Sequence, residues 1–150
     1  MGYISLDNQP TNMSYTIMIS RLDEGKTNKI EWENSIAGTD LRFDDTRTWT
    51  NLFDYVILYK NAKGDWDFLI GYNDKYSTGE TVSPDHSRWA TVCEIADKLD
   101  LFIYGESNEI YYIPNHGQPK IGLDFEKAKM IFKQKGPDLH TIIENARLEM

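Results

Sequence analysis

Six residues combine charge with aromatic rings at spacings that suit recognition of another protein. Glu106, Glu109 and Tyr111 fall around one tight turn, and Asp65, Trp66 and Asp67 sit at the start of a β-rich run. Exposed Tyr or Trp beside carboxylates makes an interface anchor, in which the ring supplies contact area and the acids pair with Lys or Arg. Glu106 and Glu109 also flank a hairpin turn, where two acids form a carboxylate pair or are simply solvated. Asp65 and Asp67, two apart on a strand, point to one face. Such a pair can hold Mg²⁺ if substrate phosphates help. The stronger reading is a hairpin with one polar face in water and the other buried.

Nucleophilic and metal chemistry find little support. The three histidines, His86, His116 and His140, stand at no metal-ligand spacing from one another or from Cys93. Cys93 lies on the apolar stripe of a helix with Trp89 and Ala96, where a thiol acts as a small hydrophobe. Phosphate cradles and nucleophile-elbow motifs are absent. His116, within Pro114-Asn115-His116-Gly117-Gln118-Pro119, sits in a loop held by glycine and prolines and can serve as a base or a contact residue. The sequence therefore names no catalytic residue, no metal site and no cofactor. A ligand site around His116, Glu106 and the tyrosines stands as the alternative to a protein-binding surface.

The elements that must position these residues follow from periodicity. Residues 15–22 alternate as a strand. Asn28 and Glu31 form a capping box for a short helix that ends near Gly38. A loop follows, with a short strand at Leu41–Phe43. Residues 53–60 and 65–72 read as a hairpin across Asn61–Gly64, and 73–82 as a loop. Ser83-Pro84-Asp85 predicts the start of a helix over 84–99. Residues 101–104 and 109–113 read as a second hairpin, in which the adjacent Tyr111 and Tyr112 point to opposite faces. Asp124 caps a helix to Lys135, Gly136-Pro137 breaks it, and a last helix spans 138–148. The predicted class is α+β: an antiparallel sheet of two hairpins plus an N-terminal strand, helices packed on one face, and a helical C-terminal tail.

The 150 residues suit one domain, read here as residues 13–150 after a flexible leader over 1–12. No apolar run reaches membrane-helix length and no secretory signal is visible, so the expected compartment is the cytoplasm. A formal charge of −8 disfavours phosphate binding and hence nucleic acid or anionic membranes. The same charge steers encounters with basic proteins, although solubility alone is the stronger reading of it. The excess acid lies ahead of residue 124.

Several short pieces bear a resemblance: Ile19-Ser20-Arg21, Ile30-Glu31-Trp32, Trp66-Asp67-Phe68, Ile95-Ala96-Asp97-Lys98-Leu99, and Gly105-Glu106-Ser107-Asn108-Glu109-Ile110-Tyr111. Over residues 15–112 the chain resembles small bacterial proteins similar to immunity or accessory proteins of toxin systems. It departs from them in having Glu-Ser-Asn after Gly105, where Asp-Asp-Gly is usual, and in its C-terminal helical tail. The resemblance implies a non-enzymatic protein that neutralises a basic toxin by occluding it. An acidic mimic of nucleic acid and a homodimer through an exposed hairpin edge are the remaining alternatives.

Overall fold

A computed structural model describes residues 15–46, 52–120 and 122–148. The expected leader over 1–12 lies outside the described residues. Seven strands form one antiparallel sheet in the order β2-β3-β4-β5-β1-β6-β7. They are β1 (Ile17–Ser20), β2 (Arg42–Asp44), β3 (Tyr55–Lys60), β4 (Trp66–Asn73), β5 (Thr78–Thr81), β6 (Phe102–Gly105) and β7 (Ile110–Tyr112). Four helices accompany them: α1 (Lys29–Ser35), α2 (Trp89–Leu99), α3 (Phe125–Lys135) and α4 (Leu139–Asn145). The α+β class and the helical C-terminal tail are as the sequence predicts.

The helices divide between the two faces of the sheet rather than sharing one. Trp32 of α1 and Val92, Ile95, Ala96 and Leu99 of α2 pack on Ile17, Ile19, Ile57, Ile70 and Ile103. Phe125 and Ala128 of α3 and Ile142 of α4 pack on Phe102, Tyr104 and Ile110 from the other side. The cause lies in the run Leu101-Phe102-Ile103-Tyr104, all buried. Consecutive residues of a strand point to opposite faces, so an unbroken apolar run needs a cover on each.

The local signals that held are the ones closed by a side chain. The Asn28–Glu31 capping box is present in full, and Asp124 caps α3 by accepting the Lys127 N–H at 2.9 Å. The start of α2 is corrected. Ser83 spends its hydroxyl on Asp85 instead of capping. Two turns intervene, with His86 N–H on the Ser83 carbonyl and Trp89 N–H on the His86 carbonyl, each at 3.0 Å. Helical hydrogen bonding then begins at Trp89, after Arg88 has been pinned to Asp40.

The segment read as a loop over 73–82 contains β5, which joins β4 to the central β1. Thr78-Gly79-Glu80-Thr81 carries no apolar residue to announce a strand. It is held by ladder bonds, by Thr81 Oγ1 donating to the Leu69 carbonyl at 2.9 Å, and by close backbone approach at Gly79. A Cβ on Gly79 would lie 2.4 Å from the Gly71 carbonyl oxygen. No helix among the described residues is long and apolar enough to cross a membrane.

Candidate partner-binding site

Gly105 closes β6 opposite Ile17, at the end of the sheet where Tyr15 leads into β1 and Glu109 leads into β7. The lack of a side chain there leaves a cradle. A Cβ on Gly105 would lie 2.5 Å from Glu109 Oε2 and 2.7 Å from a Tyr15 ring carbon. Into that space Tyr15 Oη donates to Glu109 Oε2 at 2.5 Å, and Tyr111 Oη donates to the same oxygen at 2.8 Å. The Ser107 N–H reaches both Tyr15 Oη, at 2.9 Å, and Glu109 Oε1, at 3.1 Å. Partial burial pushes the Glu109 carboxyl up, but these donors outweigh it and hold the group below its ordinary range. Tyr15 nevertheless leaves 46% of its surface in water.

A β-bulge brings Tyr111 to this cluster and corrects its expected orientation. The β6–β7 register shifts between Ile103 and Tyr104, so Tyr111 and Tyr112 together oppose Ile103. Both rings therefore pack on the α1/α2 side, not on opposite faces. Each hydroxyl finds a carboxylate: Tyr111 takes Glu109, and Tyr112 takes both oxygens of Asp97 at 2.9 Å. Burial first, and then the bound carboxylate, push both phenols up to about 12, so they are neutral donors at ordinary pH.

Glu106 does not join Glu109. Its charge acts instead on Glu80 of β5, whose carboxyl is pushed up by burial and further by the Glu106 charge. Glu80 stands opposite Met18 and Gly71, on the face away from α1 and α2. Among the described residues no cation forms an ion pair with Glu80, Glu106 or Glu109. Ion-paired cations include Arg21, Lys29, Arg88, Lys129 and Lys133, held by Glu31, Asp45, Asp40, Glu24 and Glu126. One end of the sheet thus presents a like-charged pair on one face and an exposed tyrosine over a carboxylate on the other.

The second predicted group separates. Asp65 belongs to the loop, and β4 begins at Trp66, so Asp65 and Asp67 do not share a strand face. Asp67 opposes Tyr59 on the helix-covered side and accepts from Asn61 Nδ2 at 2.9 Å. Trp66 turns to the other face, with Lys60 Nζ at 5.3 Å and the Arg42 guanidinium at 5.8 Å from its ring centre. Its neighbours are cations, not the flanking acids. Pairing between β4 and β5 starts at Ile70, so Trp66 projects beyond β5 at the same end as Gly105. Three strand spacings and four residues of rise put the two groups roughly 20 Å apart. That lies within the footprint of one ordinary interface, about 800 Å² on each partner.

Tyr15 and Glu80 escaped the sequence reading, Tyr15 as one alternating strand residue and Glu80 within a presumed loop. Only the pairing of β1 with both β5 and β6 brings them to Glu106 and Glu109. The residues of the alternative site do not all share one cavity. His116 lines a cavity with Lys120 and Arg147, and neither Glu106 nor a tyrosine is among its described lining residues. Cys93 is partly buried, and its thiol is pushed up to about 12 by that burial and by Asp97, which leaves it protonated. Among the described residues no cluster of His, Cys, Asp and Glu has the makings of a metal site. Compared with protein-family models, curated proteins and solved structures, the chain matches none.

Proposed function

We propose that this chain is a non-enzymatic binding protein of the immunity type, which neutralises a basic bacterial toxin by covering it. The observation that carries the reading is the acidic, aromatic end of the sheet: Glu80 and Glu106 without a countercation among the described residues on one face, and the exposed ring of Tyr15 on the other. Two carboxylates that repel each other cost the free protein stability and gain when Lys or Arg of a partner arrives. A half-exposed tyrosine, its hydroxyl fixed by Glu109, offers contact area with little rotamer entropy left to lose. The short sequence pieces that resemble immunity proteins point the same way.

The test is capture of a partner by tagged protein from source cells, in wild type and in the double variant Glu80→Lys/Glu106→Lys. The reading expects a stoichiometric basic protein, lost at high salt and lost with the double variant. A partner retained equally by both proteins places the interface elsewhere.

A further inference from the structure

A second site lies past the far end of β7 from Glu109, where the loop after Ile113 meets the C-terminal tail. The cavity there has a volume of about 360 Å³. Its apolar lining comes from Ile113, Leu123 and Ile143, and its polar lining includes His116, Lys120 and Arg147. Among the described residues no carboxylate lines it, although the chain carries 24 acids. Among the described residues the side chains of Lys120 and Arg147 enter no ion pair. Another cavity of about 360 Å³, beside α3, differs in this respect: its Lys129 is already held by Glu24 and Glu126.

The walls are built rather than draped. Ile113 and Gly117 exchange backbone hydrogen bonds at 2.9 and 3.0 Å, with Gly117 at φ +86° and Asn115 at φ +64°. Asp97 anchors that turn by accepting the Asn115 N–H at 2.6 Å. On the other side the tail is stitched down by Asp124 N–H to the Ala146 carbonyl at 2.6 Å and by Leu148 N–H to the Gly122 carbonyl at 3.1 Å. Lys127 Nζ donates to the Arg147 carbonyl oxygen at 3.2 Å, tying the tail to α3.

We propose that this cavity binds a small organic anion, its carboxylate or phosphate held by Lys120 and Arg147 and its apolar part against Ile113, Leu123 and Ile143. An apolar floor with a few convergent polar groups is the usual make-up of a small-molecule site. The proposal does not depend on the immunity reading, because the two sites share no residue.

Octanoate, octanol, octyl phosphate and inorganic phosphate serve as probes, followed by amide shifts of Ile113, Gly117 and Leu123 in the full chain. Octanoate or octyl phosphate should bind saturably there, about tenfold tighter than octanol. The tighter of the two identifies the head group. Lys120→Gln and Arg147→Gln should each weaken that binding about five- to tenfold with amide shifts elsewhere unchanged. Octanol binding as tightly as the anions would overturn the cationic half of the proposal, and inorganic phosphate binding as tightly would overturn the apolar half. Absence of saturable shifts with any probe overturns it whole. The comparison among probes on the wild-type chain needs no variant to fold.

Discussion

Tyr15 Oη donates to Glu109 Oε2 at 2.5 Å across 94 positions of sequence, and the bond forms because Gly105 between them has no side chain. Three strands meet in that contact, since Tyr15 precedes β1, Gly105 ends β6 and Glu109 precedes β7. It fixes the aromatic ring that the proposed partner meets first.

Removing either group should loosen that corner without unfolding the sheet. Tyr15→Phe is expected to cost about 1 kcal/mol and Glu109→Gln about 1–2 kcal/mol at pH 7, by urea denaturation. The Glu109 carboxyl is held below its ordinary 4.5 in the folded chain, so the folded state binds fewer protons than the unfolded one at acid pH. Its stabilisation is therefore full above pH 4.5 and is lost as pH falls through the lowered folded value. The gap between wild type and Glu109→Gln should close in acid.

Glu80 carries the opposite sign. Burial and Glu106 raise its carboxyl above 4.5, so ionising it costs the folded state as pH rises from 4.5 through the raised value. Glu80→Gln should raise the thermal midpoint slightly at pH 7 and leave it unchanged in acid. A variant less stable than wild type at pH 7 would contradict the assigned cost of ionising Glu80. The pair of results would show a surface that gives up stability to keep two acids together.

Gly105→Ala should be costly, because Gly105 is buried where β6 ends. The new methyl meets Glu109 Oε2 at 2.5 Å and the Tyr15 ring at 2.7 Å, so the cradle must open. A loss of about 1–3 kcal/mol is expected, with Tyr15 fluorescence and the Ser107 amide shift both changed. Asn108→Gly in the same turn, at a residue with φ +67°, should be tolerated.

Two tryptophans of α1 and α2 should respond differently to the same change. Trp32 is 1% exposed and its Nε1 donates to Thr27 Oγ1 at 2.6 Å, while Trp89 Nε1 is buried without a partner. Trp32→Phe strands the Thr27 hydroxyl and should cost roughly 1–3 kcal/mol in addition to lost packing. Trp89→Phe removes a donor that had no acceptor, so it should cost only the packing. Equal losses by chemical denaturation would contradict the difference.

Much of the fold was legible where a signal is local. The capping box of Asn28 and Glu31, the Asp124 cap and the β3–β4 hairpin all depend on residues a few positions apart. What was not legible depends on pairing across the chain. Thr78–Thr81 becomes a strand because β4 and β1 flank it. The bulges opposite Ile57 and Ile103 put Leu69 with Ile70, and Tyr111 with Tyr112, on one face, which strict alternation forbids. Of the candidate site, Glu109 with Tyr111 was readable as neighbours around a turn. Tyr15 and Glu80 reach it only through the central position of β1.

The acidic end of the sheet is proposed to steer and hold a basic partner. The most direct measurement is the association rate with that partner, from about 50 to about 500 mM salt, for wild type and for Glu80→Lys/Glu106→Lys. The wild-type rate should fall at least about tenfold over that range, and the double variant should associate slowly and almost independently of salt. Equal rates for the two proteins, or a wild-type rate indifferent to salt, would contradict it.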